Sequence, residues 1–139
     1  MRDTIKLWVP VVALLAISSP LFAHHGAAQF EATKILTLKG TVAEWVWANP
    51  HCFLKFDVKD ASGNVAHWVA ETSNPPDMIN RGWTKGTFKP GDEVTVTVRP
   101  VKSGKPIGSV TQVQLSDGKI LSAGGKAATA TEGNQNNAY

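Results

Sequence analysis

Four histidines and one cysteine carry most of the chemistry open to this chain: His24, His25, His51, His67 and Cys52. The residues before His24 read as a cleavable leader, and a cut after Ala23 leaves His24 with a free α-amine beside its own imidazole. Those two nitrogens can chelate one metal ion, and an imidazole from the folded domain would complete a three-nitrogen set. Such a nitrogen-rich, nearly planar set suits Cu(II), ahead of zinc or nickel. His51, which follows Asn49-Pro50, is the best-placed third ligand. His67, in the next strand, is its neighbour as a candidate, and His25 either binds or orients His24. The competing reading is plain: a soluble mature start, a His51 ring that hydrogen-bonds its own turn, and a His67 on a sheet face. No HxH, HExxH or Cys/His cluster gives the tight spacing of a self-contained metal motif.

A second feature is aromatic. Trp45 and Trp47 share one parity of the first strand, Phe53 lies outward on the second, and Trp68 lies in the third. Together they could form an apolar face for a ligand or an envelope partner. The competing reading is a small second core beneath the N-terminal arm or a helix. Catalysis has little support: there is no Gly-x-Ser-x-Gly elbow, no Cys–His pair with family spacing and no phosphate-cradling Gly loop. Glu71 with Asp57 or Asp77 would be a carboxylate pair, but nothing in the spacing joins them, and Glu71 reads as a solvent-facing or turn-binding strand end.

These residues need elements to position them. Ile35 to Trp47 alternates Leu36, Leu38, Val42 and Val46 against Thr37, Lys39 and Thr41, which predicts a half-buried strand. Gly40 within it predicts a bulge or bend. A second strand spans His51 to Val58, with Cys52, Leu54, Phe56 and Val58 inward. The Asp60 to Asn64 turn returns the chain as a hairpin over Val65 to Glu71. Ser73-Asn74-Pro75-Pro76-Asp77 predicts a helix start, and Gly82 its end, with Trp83 anchoring that end. Strands follow at Glu93 to Arg99 and Ser109 to Leu115, and a last turn at Asp117-Gly118 leads to Ile120 and Leu121. Three strands, a short helix and two strands predict an OB-like five-stranded barrel with the helix between strands 3 and 4. The rival is a small open sandwich.

Residues 1–23 have the order of a secretory signal: Arg2 and Lys6, an apolar run from Leu7 to Ile17, then Ser18-Ser19-Pro20 and Ala23. The run is shorter than the roughly 20 apolar residues of a membrane span. Leu21 is a weaker cleavage residue than Ala, so Ala27 and Ala28 are alternative cut sites. The organisation expected is a signal at 1–23, an arm at 24–33, the barrel at 34–121 and a disordered tail at 122–139, in a periplasmic protein. Without Arg2, Lys6 and Asp3, the 14 basic and 11 acidic residues leave a net charge near +2. That balance is too small to imply a nucleic-acid or anionic-membrane partner, and none is expected. A single cysteine allows no disulfide within the chain, and Cys52 reads as a small buried strand residue.

Ala23-His24-His25, Phe30-Glu31, Leu38-Lys39-Gly40-Thr41-Val42, Trp47-Ala48-Asn49-Pro50-His51, Glu71, Arg81-Gly82-Trp83, Lys89-Pro90-Gly91-Asp92 and Asp117-Gly118 form a pattern. It resembles a family of small exported bacterial proteins classed as a domain of unknown function, across about residues 23–121. The resemblance implies an exported single domain and no established activity or cofactor. It places the His pair and His51 in the recurring pattern, whereas Cys52 stands where relatives often carry a hydroxyl residue. The expectation drawn from the whole is a non-enzymatic periplasmic binding or accessory domain holding copper through His24 and His51. An aromatic docking module with structural histidines is the alternative, and a metal-dependent enzyme on the same site a weaker one.

Overall fold

Alternating apolar and polar side chains make five stretches of this chain stable only as strands with one face covered. The fold is given by a computed structural model, which describes residues 29–124. Its strands are β1 (Leu36–Val46), β2 (Phe53–Lys59), β3 (Val65–Glu71), β4 (Glu93–Pro100), β5 (Ile107–Leu115) and a short β6 (Ile120–Ser122). The single helix α1 (Pro75–Asn80) lies between β3 and β4. The strand order is β3-β2-β1-β4-β5-β6, and β3 also pairs in parallel with β5. That last pairing, Val69 with Ile107 through Glu71 with Ser109, closes a five-stranded barrel of OB-like topology. The open sandwich is therefore not the architecture.

The barrel interior is filled by the inward parity of each strand. Leu54 and Phe56 of β2, Val96 and Val98 of β4, and Val113 of β5 are fully buried. Met78 of α1 and Trp83 beyond it are equally buried and plug one end. Asn74 caps α1 by accepting the Asp77 backbone N–H at 3.0 Å, and Pro75 and Pro76 occupy positions whose N–H groups have no helical partner. Gly82 leaves the helix with φ 83°, a conformation that side chains with a Cβ resist.

β1 serves two partners. Its first half pairs with β4 and its second with β2, and Thr41 is matched to both Glu93 and Asp57. Gly40 is not a bulge, as its residue type had suggested: it pairs in regular register with Val94. A Cβ there would lie 2.6 Å from the Asp57 carbonyl oxygen, so glycine is needed for close approach of β2. The register shift falls instead between Val42 and Glu44. It reverses the parity of everything that follows, which turns Trp45 inward opposite Leu54.

The described part of the arm is tied to the barrel by backbone contacts. Phe30 bridges Val101, the Glu31 N–H donates to the Pro100 carbonyl at 2.8 Å, and the Lys102 N–H to that of Gln29 at 3.0 Å. The expected tail boundary at 122 is too early, because Ser122 belongs to β6 and Ala123 is buried. Leu121 buries its side chain while the backbone of β6 pairs with β5, and together these carry order past Leu121.

Candidate functional site

β2 and β3 run antiparallel, and their outward parity carries the two histidines that lie within the described residues. His51 sits two residues before Phe53, whose partner is Glu71. Its Nδ1 is paired with Glu71 Oε1, and the two side chains are 45% and 27% exposed. The neighbouring backbone is fixed: the Cys52 N–H donates to the Ser73 carbonyl at 3.0 Å, and the Thr72 N–H to that of Cys52 at 2.9 Å. These bonds extend the ladder past the end of β2, and Cys52 itself is completely buried, as its residue type suggested. His67 stands directly across from Asp57, with its Nδ1 2.6 Å from Asp57 Oδ1, and is 80% exposed.

The two pairs have the same chemistry. In each pair a carboxylate oxygen faces Nδ1, so Nδ1–H donates to it and Nε2 is the ring nitrogen without that partner. A metal-binding histidine is commonly held this way, since the second hydrogen bond fixes the tautomer and raises ligand basicity. They do not converge. Six residue steps along the hairpin separate His51 from His67, roughly 20 Å at about 3.3 Å per step. One ion cannot use both. Among the described residues, no group of three His, Cys, Asp or Glu side chains could hold a metal.

His24 and His25 lie outside the described residues, as does the whole expected signal. The described chain begins at Gln29, which bonds Lys102; Val101 bonds Ile107, and Ile107 pairs with Val69. Val69 lies midway between His67 and Glu71, so this register favours neither histidine. Glu71 ends β3, and its spacing from His51 gives no signal because the contact arises from strand pairing. Parity along β2 and β3 would have put Glu71 on the His51 face.

The aromatic residues do not form one outward platform. Trp45, Trp47 and Trp68 all pack against the core cluster. Trp45 meets Phe88 edge-on with centroids 5.3 Å apart, approaches Trp47 at 5.7 Å and Trp83 at 5.8 Å, and donates its indole N–H to the Thr84 carbonyl at 3.0 Å. Trp68 stacks on Phe56. Only Phe53 keeps the outward parity expected of it, opposite Glu71. These rings thus pack against the one core cluster, Trp45 beneath the segment following α1 and Trp68 on Phe56.

Two arginines far apart in sequence were also missed. Arg81, at the C-cap of α1, and Arg99, on β4, line one cleft beside β5. Arg81 binds the Asp77 carboxylate through Nε at 3.1 Å and Nη2 at 3.3 Å. Those hydrogen bonds, with help from Ser73, hold the Asp77 carboxyl below its ordinary range.

Fold and site together define a small closed β-barrel whose outer hairpin face carries two carboxylate-held imidazoles. The chain belongs to a family of unknown function, DUF6152, whose model matches residues 12–111. No curated protein and no solved structure matches it.

Proposed function

We propose that this chain is an exported, non-enzymatic binding domain that holds a copper ion between its processed amino terminus and His51. The observation that carries this reading is the His51–Glu71 pair. An imidazole ligand must be held with one nitrogen free, and Glu71 fixes Nδ1 so that Nε2 is the free one. His51 is also the more preorganised of the two histidines, because it adjoins a buried residue whose backbone is bonded on both sides. The α-amine and imidazole of His24 would supply the remaining nitrogens, a set matched to Cu(II). One imidazole with a carboxylate behind it is half of such a site, and the processing cut would create the other half.

His67 is the rival imidazole, since Asp57 faces its Nδ1 as Glu71 faces that of His51. Titration of Cu(II) alone into the processed protein separates the two. Mass spectrometry of the mature chain should give a start at His24, and any other start overturns the chelate. With that start, His51→Ala should weaken Cu(II) binding at least about 10-fold and Glu71→Gln about 10-fold. An unchanged affinity in His51→Ala with a loss in His67→Ala transfers the ligand role to His67. No saturable binding in the wild type defeats the copper reading.

A further inference from the structure

The cleft shared by Arg81 and Arg99 has a volume of about 410 Å³ and lies between the end of α1, β4, β5 and the segment after β6. A space of that size suits a small organic molecule rather than a lone ion. Its charges are unequal. Arg81 is balanced by Asp77, but the Arg99 guanidinium has no hydrogen-bonding or ionic partner among the described residues. Two guanidiniums against one carboxylate leave a single net positive charge.

The register explains why Arg99 faces this space with a hydroxyl beside it. Arg99 of β4 pairs with Ser109 of β5, so both side chains leave the sheet on the same face. The Ser109 hydroxyl likewise has no partner among the described residues. Val110 and Ala123, both buried, add apolar lining to the same cleft. An unpaired guanidinium, an unpaired hydroxyl and an apolar wall are complementary to a carboxylate on a short hydroxylated carbon body. A guanidinium binds a carboxylate through two parallel N–H donors, which the hydrated point charge of a lysine would not match.

We propose that this cleft is a binding site for a small hydroxylated organic monocarboxylate, with Arg99 clamping the carboxylate and Ser109 bonding a hydroxyl. It is independent of the copper reading, since Arg99 and Ser109 take no part in either histidine pair. The single positive charge selects a monoanion over a multiply charged phosphate.

Gluconate, with acetate and inorganic phosphate for comparison, is titrated into the full mature protein and followed by calorimetry and amide chemical shifts. Gluconate should bind saturably and more tightly than acetate or phosphate, with shifts centred on Arg99 and Ser109. Arg99→Gln should weaken it at least 10-fold and Ser109→Ala about 3-fold, whereas Lys39→Gln, which removes a cation elsewhere on β1, should leave it unchanged. Equal loss in Lys39→Gln would reduce the effect to overall charge and overturn the site. Tighter binding of phosphate, or no saturable binding of gluconate at millimolar concentration, would overturn it as well. Arg99 is exposed, so its substitution should not unfold the barrel, and an unchanged melting temperature checks this.

Discussion

The indole N–H of Trp83 donates to the Ser122 carbonyl at 2.8 Å, joining the turn beyond the helix to the end of β6 across 39 positions of sequence. Trp83 is fully buried and also touches Trp45 and Phe88. Helix, aromatic cluster and last strand therefore share one side chain. Trp83→Ala should destabilise the barrel by about 3–5 kcal/mol through the lost contacts and the cavity left. Chemical denaturation measures this, and a loss below about 1 kcal/mol would mean the cluster refills itself.

Deleting residues 121 onward removes Leu121 and Ala123 from the core and leaves the Trp83 indole without its acceptor. Loss of the leucine alone corresponds to about 1.5–3 kcal/mol of apolar burial. The midpoint of urea unfolding should fall accordingly. An unchanged midpoint would make β6 dispensable.

Gly40→Ala places a methyl 2.6 Å from the Asp57 carbonyl oxygen and 3.0 Å from Phe56 Cδ2. The nearer atom is backbone, so β1 and β2 must separate where β1 changes partners. A cost of about 1–3 kcal/mol is expected, read as a lower melting temperature with the strand content retained.

Asp60 accepts hydrogen bonds from the Asn64 side chain at 3.0 Å and from the backbone N–H groups of Asn64 and Ser62. The Asn64 side-chain bond is the chief reason that its carboxyl sits below the ordinary value of 3.8. A carboxyl lowered in the fold favours folding fully above its unfolded value. That contribution is lost as pH falls from about 3.8 through the lower folded value. Asp60→Asn should therefore lower the melting temperature at neutral pH. The two proteins should converge in acid, and a constant gap down to complete protonation would remove Asp60 from the acid response.

Cys52 should resist thiol reagents in the native protein and react fully in denaturant. Its Sγ is completely buried and points to the Ala48 carbonyl at 3.8 Å. Rapid labelling without denaturant would show that this end of the hairpin opens readily.

Local pattern made much of the fold legible. Val65–Glu71 follows directly from the Asp60–Asn64 turn, and α1 from polar capping residues and prolines followed by Gly82. The inward set Cys52, Leu54 and Phe56 is the alternation itself. Trp45 was illegible for a definite reason. A single register shift between Val42 and Glu44 reverses parity, and no residue type in Val42-Ala43-Glu44 announces it. The site was legible in residue type only. His51 and His67 could be singled out, but their carboxylates and their separation depend on strand register. Arg81 and Arg99 share a cleft through pairings that no short-range pattern encodes.

The parallel contact between β3 and β5 comprises three residue pairs, against six for β1 with β4. It joins Val69 to Ile107 across the helix and β4, and it is the one parallel pairing in the sheet among the described residues. The cylinder thus has a seam, fastened by few rungs. Exchange of amide hydrogens should begin there. Below the seam, the first residues of β3 have a strand partner on one side alone among the described residues, and the edge of the barrel starts where the fastening stops.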